Sequence, residues 1–81
     1  MDKQWVLYIL ECADGTLYTG ITDNLPQRIA AHNTGKGAKY TRGRTPVKVI
    51  YTEKCENHSR ALKREIEVKR LPRKIKRSLC Q

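Results

Sequence analysis

The segment that most constrains the fold is an unbroken run of six strand-forming residues, Trp5–Leu10, near the start of the chain. The run shows no alternation of apolar and polar positions, which is typical of a central strand covered on both faces. A turn follows, in which Gly15 can adopt a positive φ angle, and Leu17–Thr22 has the composition of a returning strand. Together these segments predict a β-hairpin at the centre of a small sheet.

The length of the hairpin loop determines whether Tyr8 and Tyr18 share a face of the sheet. A two-residue turn would send the two rings to opposite faces. A three-residue loop at 13–15 shifts the pairing by one residue, places Tyr18 opposite Leu10, and points both rings to one face. Three-residue loops favour glycine at their last position, so a site shared by the two tyrosines predicts this loop. Packing in the core or in an interface is the alternative role for either ring.

A first helix is predicted after the hairpin. Pro26 suits its first turn, Gly35 is expected to end it, and the candidate caps are Thr22, Asp23 and Asn24. Gly20, inside the preceding strand, indicates a bulge or a close approach of another group to the backbone.

The rest of the chain predicts a loop, one further strand and two helices. A loop at 34–46 is followed by a strand at 47–52, a helix at 60–71 capped by Ser59, and a short helix at 73–79. The predicted order is β-β-α-β-α-α, an α+β fold with a small three-stranded antiparallel sheet flanked by helices. At 81 residues the chain is expected to form one domain, 1–81.

Positive charge is concentrated beyond residue 23. The net charge is +9, yet residues 1–23 carry four acids and one base. Residues 24–52 carry six bases and no acid, and residues 53–81 carry ten bases and four acids. An acid-free stretch of 29 residues predicts a positive face that attracts phosphate backbones. A solvated, lysine-rich surface is the alternative explanation for this composition.

The 34–46 loop supplies the predicted contacts to nucleic acid. Four bases there can reach backbone phosphates, and one aromatic ring can stack on a splayed base. These residues are Lys36, Lys39, Arg42, Arg44 and Tyr40. Bases near the C-terminus are expected to extend the same surface: Arg70, Arg73, Lys74, Lys76 and Arg77.

Two polar residues of the first helix are candidates for a chemical role. Arg28 and His32 are four residues apart and therefore neighbours, at the edge of the stripe formed by Leu25 and Ile29. A guanidinium there can bind phosphate with two hydrogen bonds. A partly covered surface arginine is the alternative.

Glu65 is a carboxylate on the predicted buried side of the second helix. On a helical wheel it falls within the apolar arc, which comprises Ala61, Leu62, Ile66 and Val68. A carboxylate in such a place must be paired, hydrogen-bonded or bound to metal, because burying it bare is costly. An ion pair with Lys69 and a metal site both meet this requirement.

Three scattered cysteines, Cys12, Cys55 and Cys80, do not form a disulfide framework and favour a reducing cytoplasm. The chain shows no secretory leader and no apolar run long enough to span a bilayer, so no membrane partner is expected.

The spacing of these residues resembles that of the GIY-YIG nuclease superfamily. The pattern is Val6-Leu7-Tyr8, then Tyr18-Thr19-Gly20, then Arg28, then Glu65. Small, free-standing bacterial members resemble nearly the whole chain.

The resemblance implies a role for each matching residue. It makes Tyr8 and Tyr18 the motif tyrosines, Arg28 the catalytic arginine, Glu65 the metal-binding glutamate, and His32 a histidine seen in part of the family. Ile21 stands where some relatives carry a lysine, so a lysine-assisted base is not expected.

The resemblance also implies a function. The chain is expected to be a metal-dependent endonuclease that hydrolyses phosphodiester bonds in nucleic acid, DNA rather than RNA, during repair or processing. Glu65 would hold one Mg²⁺ or Mn²⁺ ion, and Arg28 would neutralise charge on the phosphoryl oxygens. Tyr8 would accept the proton of the attacking water and pass it on through water or His32.

Two other functions fit the same residues. A non-catalytic nucleic-acid-binding module would use the 34–46 loop and the basic C-terminal helices, with the tyrosines only packing. A protein-interaction domain would bind an acidic partner through its basic tail.

Overall fold

The computed structural model describes residues 4–80 and has the predicted α+β fold in the predicted order. The strands are β1 (Trp5–Glu11), β2 (Leu17–Thr22) and β3 (Lys48–Cys55). The helices are α1 (Leu25–Asn33), α2 (His58–Lys69) and α3 (Arg73–Leu79). A short 3-10 helix, Lys39–Thr41, lies within the 34–46 loop.

The central strand of the antiparallel sheet is β1, in the order β2-β1-β3, which confirms the prediction from the unbroken apolar run. Alternate side chains of β1 enter two separate cores. Leu7 and Ile9 are fully buried in the core under α2, and Tyr8 and Leu10 are fully buried in the core under α1. Each such side chain contributes about 1.5–3 kcal/mol on burial, so a strand covered on both faces anchors the domain.

The hairpin has the three-residue loop that a shared tyrosine site requires. The Cys12 N–H donates to the Thr16 carbonyl at 2.9 Å, which leaves residues 13–15 as the loop. Gly15 has a φ of 84°, the left-handed conformation that glycine adopts without strain. Tyr18 consequently pairs with Leu10, on the same face as Tyr8.

The first helix has the predicted caps. Its N-cap is Asn24, whose side-chain oxygen accepts the Gln27 N–H at 3.2 Å, and Pro26 lies in the first turn. The helix ends at Asn33, just before Gly35 with a φ of 80°.

The predicted bounds of β3 and α2 need correction. The third strand extends to Cys55, because its ladder with β1 continues as far as the pairing of Cys55 with Trp5. The second helix begins at His58, and its cap is Asn57 rather than Ser59. The Asn57 side-chain oxygen accepts the Arg60 N–H at 2.9 Å, so the helix begins earlier than predicted. It also ends earlier, at Lys69.

The predicted apolar arc of α2 is wrong at Leu62 and Ile66, which are 42% and 52% exposed. Arg64 faces the sheet instead, because its Nε donates to Glu53 Oε2 of β3 at 2.8 Å and its second hydrogen bond reaches Glu53 Oε1 at 3.2 Å. Glu65 therefore lies at the edge of the buried face, with its side chain 18% exposed.

The last helix is attached to the hairpin loop by arginines. The Arg73 guanidinium donates to the Gly15 carbonyl at 2.7 Å, and the Arg77 guanidinium pairs with Glu11 at 2.7 Å. These contacts bring the basic α3 beside the end of the hairpin. Within residues 4–80, every helix is too short or too polar to cross a membrane.

Candidate active site

The Tyr8 ring lies directly across Gly20 of the outer strand β2. A Cβ atom added at Gly20 would be 2.5 Å from the Tyr8 hydroxyl oxygen and 2.7 Å from ring carbon Cζ. Real Cβ atoms do not approach other atoms so closely, so only glycine leaves room for the ring here. The Tyr18 ring lies on the same side, with its centroid 6.4 Å from that of Tyr8. The predicted sharing of one face by the two tyrosines is therefore confirmed.

A chain of buried hydrogen bonds runs from Tyr8 through His32 to Thr41. The Tyr8 hydroxyl is 3.1 Å from His32 Nε2, and His32 Nδ1 is 2.7 Å from the Thr41 hydroxyl oxygen. Thr41 in turn donates its hydroxyl proton to the Ala38 carbonyl at 2.9 Å. All three side chains in the chain are fully buried.

The direction of donation along this chain follows from its last bond. Because the Thr41 proton is used on Ala38, the Thr41 oxygen accepts, and His32 Nδ1 must carry the donated proton. Burial and the nearby Arg28 lower the pKa of His32, so the ring is neutral near pH 7 and Nε2 has a free lone pair. Tyr8 therefore donates its hydroxyl proton to His32 Nε2.

The 34–46 loop is seated directly on the histidine. A Cβ added at Gly37 would be 2.7 Å from both the Cα and the Cγ of His32, so the loop backbone lies against the ring. This close contact brings Thr41 to the ring and keeps solvent away from it.

Charged groups on two helices act on the Tyr8 hydroxyl. Burial is the main cause that raises the pKa of Tyr8, and the interaction with the Arg28 guanidinium opposes it. Charges on Tyr18 and Glu65 raise the same pKa further. The interaction with Tyr8 is also the main cause that raises the pKa of Arg28. Tyr18, Arg28 and Glu65 are thus each within electrostatic reach of Tyr8.

Glu65 approaches the tyrosines from the opposite side of the sheet. The second helix covers the face of Leu7 and Ile9, whereas Tyr8 belongs to the face under α1. The charge of Glu65 nevertheless acts on Tyr8, whose pKa it raises. Lys69 lies 3.5 Å from the Glu65 carboxylate, which is the ion pair predicted as one alternative.

The donor set at Glu65 fits a hard divalent cation that keeps most of its water. A partly exposed carboxylate oxygen is the ligand type that Mg²⁺ prefers, and Mg²⁺ is commonly bound through one or two carboxylates. Residues 4–80 contain no group of three or more acidic, histidine or cysteine side chains that could hold a metal. Any ion held here therefore depends on water and substrate for its other ligands.

Arg28 also lines an open cavity of about 240 Å³ at the start of α1. Its other lining residues are Thr22, Asp23, Asn24, Gln27 and Ala31. A cavity of about 410 Å³ between β3 and α2 is larger, but ion-paired side chains line it and the predicted site residues do not.

Tyr40 of the loop joins the aromatic group. Its ring stacks on Tyr18 with centroids 5.9 Å apart and planes 24° from parallel. The Arg44 guanidinium lies over the Tyr40 ring at 4.5 Å and pairs with Asp14 at 2.6 Å. Hydrogen bonds from Thr16, together with Arg44, lower the pKa of Asp14 to about 2, so the pair persists at any moderate pH.

The predicted nucleic-acid-binding bases differ in their exposure and in their contacts. The side chains of Lys36, Lys39 and Arg42 are exposed on the loop surface. Arg44 is held between Tyr40 and Asp14 and connects the loop to the hairpin.

Two residues of the site were not predicted from the sequence. Thr41 and Gly37 lie in a loop that was expected to bind nucleic acid, whereas they position His32. Threonine and glycine are common in exposed loops, so their types gave no signal of this role. The tight contact of the loop with His32 arises only in the folded chain.

Comparison with protein families matches one domain to most of the chain. The GIY-YIG catalytic domain matches residues 4–78. A UPF0213 protein of Oceanobacillus iheyensis is 52% identical over 81 residues, covering 100% of this chain and 94% of that protein. A UPF0213 protein of Desulfotalea psychrophila is 54% identical over 78 residues, covering 95% of this chain and 71% of that protein.

Two solved structures are similar in fold and sequence. The solution NMR structure of a UPF0213 protein from Bacillus halodurans has 46% identity and a TM-score of 0.59, covering 94% of this chain and 81% of that one. The solution NMR structure of a protein from E. faecalis has 41% identity and a TM-score of 0.64, covering 96% and 84%.

The matching domain carries several general implications. It suggests nuclease activity and implies binding of nucleic acid, and nucleases of this type are generally metal-dependent. The match spans most of the chain, and the two relatives are 52% and 54% identical over 95% or more of it. The chain therefore belongs to the GIY-YIG catalytic-domain family, alongside the small UPF0213 proteins.

Proposed function

We propose that this chain is a single-domain endonuclease that hydrolyses phosphodiester bonds in nucleic acid, with DNA as its substrate in repair or processing. The observation that carries the proposal is the buried contact between the Tyr8 hydroxyl and His32 Nε2 at 3.1 Å. A phenol whose own proton has an acceptor in place can take a proton from water without first becoming a free phenolate. That property answers the main difficulty of a tyrosine base, whose ordinary pKa is near ~10.

The proposed step transfers two protons and replaces the ester bond to phosphorus by a bond from the water oxygen. Water gives a proton to the Tyr8 oxygen as Tyr8 gives its own proton to His32 Nε2. The resulting hydroxide oxygen bonds to phosphorus, and the ester bond to the leaving oxygen breaks with its electron pair on that oxygen. The leaving oxygen takes a proton from solvent, and His32 returns its extra proton to solvent by way of Tyr8.

Arg28 and Glu65 have complementary roles in this proposal. Arg28 lies at an open cavity and can pair with the phosphoryl oxygens, where negative charge increases in the transition state. Glu65 would hold the Mg²⁺ or Mn²⁺ ion. When bound, a divalent ion supplies Lewis-acid stabilisation of the phosphate and of the leaving oxygen. Tyr18 orders the site by packing against His32, with centroids 5.3 Å apart.

The exposed bases supply the binding surface in this proposal. Lys36, Lys39 and Arg42 extend from the loop that covers His32, so phosphates bound there would lie next to Tyr8. Tyr40, Arg73 and Lys76 continue the surface past the hairpin end. We place the protein in the cytoplasm, which fits three free cysteines, two of them buried.

A cleavage assay with matched variants tests the proposed function. Single-stranded, duplex and branched DNA, with RNA alongside, are incubated with Mg²⁺, with Mn²⁺ or with EDTA. Tyr8→Phe and Glu65→Ala should each lower the cleavage rate by a factor of about 10² or more. Glu67→Ala, which removes an exposed carboxylate from the same helix, should cleave normally. Undiminished cleavage by Tyr8→Phe or Glu65→Ala would contradict the assignment.

One observation favours a non-catalytic nucleic-acid-binding module as the second candidate. Lys69 lies 3.5 Å from Glu65, and its ammonium can satisfy the carboxylate without a metal. This function predicts binding to nucleic acid that Tyr8→Phe leaves intact, with no cleavage by the unmodified chain under any metal.

A further inference from the structure

A small cavity beside Tyr40 is lined by residues other than Tyr8, Tyr18 and His32. It has a volume of about 200 Å³ and is bounded by the hairpin end, the 34–46 loop and α3. Its lining residues are Thr16, Leu17, Tyr40, Arg73 and Lys76. The residues placed in the hydrolytic site do not line this cavity. Tyr18 of that site stacks on Tyr40 of the cavity and so connects the two.

The lining combines an apolar wall with two cations. Tyr40 stays 43% exposed although Tyr18 and Arg44 pack against its ring, and Leu17 beside it is half-buried. Arg73 and Lys76 are on the same side of α3. Among the described residues that line the cavity, none is acidic. An apolar wall facing cations is complementary to a ligand with a flat ring and a phosphate.

The position of the two cations is fixed by the fold. The Arg73 guanidinium donates to the Gly15 carbonyl at 2.7 Å, and Arg77 on the next turn pairs with Glu11 at 2.7 Å. These bonds hold α3 against the hairpin end, and this position of the helix places Lys76 in the cavity wall. The cavity is therefore built by three elements and is preorganised for binding.

We infer that this cavity is a subsite for one unpaired nucleotide of DNA beside the phosphate that is cut. The base contacts the exposed part of Tyr40 and Leu17, and its phosphate pairs with Lys76 and Arg73. The inference rests on the proposed nuclease function and adds a substrate class to it. A base in a duplex is paired and stacked on both sides, so it can enter only if it is already unpaired or is extruded. The preferred substrates are therefore single-stranded or splayed DNA.

A binding experiment in EDTA tests the subsite without depending on cleavage. The probes are a short oligodeoxythymidylate and the same strand with abasic positions, which has equal phosphate charge. The unmodified chain should bind the intact strand about tenfold more tightly, because a base–aromatic contact is lost with the base. Tyr40→Leu should bind the two strands equally, and Tyr40→Phe should keep the difference.

A matched pair of lysines on α3 tests the phosphate contact. Lys76→Gln should reduce the slope of log affinity against log salt by about 0.7, the value for one phosphate on a single strand. Lys74→Gln removes the same charge from an exposed position of the same helix outside the cavity and should change the slope less. Both substitutions are on the helix surface, so neither should unfold the chain.

The outcomes separate this inference from the proposed function. Discrimination against the abasic strand that depends on Tyr40 supports the subsite even if no metal allows cleavage. Equal discrimination by Tyr40→Leu and the unmodified chain, or equal effects of the two lysine substitutions, overturns the subsite even if the chain cleaves DNA.

Discussion

The Nδ1 atom of His32 lies 2.7 Å from the hydroxyl oxygen of Thr41, and this contact determines which ring nitrogen faces Tyr8. Thr41 donates its only hydroxyl proton to the Ala38 carbonyl at 2.9 Å and can only accept from the ring. A threonine in a basic surface loop thereby fixes the tautomer of a buried histidine. The loop is part of the site as well as a cover over it.

Replacing Thr41 by valine should change the tautomer of His32 while leaving the shape of the site intact. The unmodified ring carries its proton on Nδ1, and in Thr41→Val the proton should move to Nε2, where Tyr8 can accept it. Nitrogen-15 NMR of the histidine ring reports the change directly. Cleavage should fall by about tenfold or more, because the acceptor for the Tyr8 proton is lost.

Thr41→Ser is the control for that experiment. It keeps the hydroxyl and loses only a methyl group, so both the Nδ1–H tautomer and the cleavage rate should stay near those of the unmodified chain. Valine leaves His32 Nδ1 without its partner, while the Ala38 carbonyl still accepts the Thr41 backbone N–H at 3.0 Å. The substitution should cost about 1–3 kcal/mol of unfolding free energy. An unchanged tautomer in Thr41→Val, in a chain that is still folded, would show that Thr41 does not fix the ring.

Acid should destabilise the protein through His32 at a pH well above the range where carboxylates titrate. Burial lowers the pKa of His32 in the folded state below its ordinary value near ~6.5. Between those two values the unfolded chain binds one more proton than the folded chain. The unfolding free energy should therefore fall as pH drops below about 6.5, by at most about 1.4 kcal/mol per pH unit.

The comparison that isolates this effect is His32→Asn against the unmodified chain, each unfolded by urea at several pH values. The variant should lack the slope just below pH ~6.5. It should keep any slope at lower pH, where the lowered pKa values of Glu11 and Asp14 begin to act. An identical slope in both proteins above pH ~5 would place the proton uptake on another group.

The geometry of the hairpin could be predicted from the sequence because few strand registers meet its two constraints. The positive φ at Gly15 and the need for both tyrosines on one face select a single register, and the structure has that register. The caps of α1 were predictable for the same reason, since Asn24 and Pro26 act within one turn of the chain.

The orientation of α2 could not be predicted, because it depends on a partner distant in sequence. Leu62 and Ile66 have the spacing of a buried stripe, yet the paired hydrogen bonds of Arg64 to Glu53 turn a different face to the sheet. The role of Thr41 was hidden for a similar reason. Its partner His32 belongs to another element, and only folding brings Gly37 close enough to bury both.

Gly20→Ala should disturb the site because the added methyl group occupies the place of the Tyr8 hydroxyl. The Cβ atom would be 2.5 Å from that oxygen, and Tyr8 is fully buried, so the ring must shift. Overpacking of this kind costs about 1–3 kcal/mol of unfolding free energy. Cleavage should be lost at temperatures where circular dichroism shows that the chain is still folded. Normal cleavage by folded Gly20→Ala would mean that the Tyr8 position is not critical.

Two arginines two positions apart in the 34–46 loop should contribute differently to nucleic-acid binding. Arg42 is exposed, whereas Arg44 is paired with Asp14 at 2.6 Å and lies over the Tyr40 ring. Releasing Arg44 to a phosphate would break its ion pair, so its net gain on binding is smaller. Arg42→Gln should reduce the salt slope of binding to a single strand by about 0.7, and Arg44→Gln by less.

Asp14→Asn tests whether pairing with Asp14 limits the binding of Arg44 to phosphate, and here the salt slope should increase. The substitution removes the carboxylate that occupies Arg44 but keeps an oxygen that can accept from Thr16. Arg44 is then available to phosphate, and the salt slope should become steeper by up to about 0.7. Salt titrations of oligonucleotide binding measure all three variants with one probe. If Arg44→Gln lowers the slope as much as Arg42→Gln while Asp14→Asn leaves it unchanged, Arg44 binds phosphate despite its pairing with Asp14.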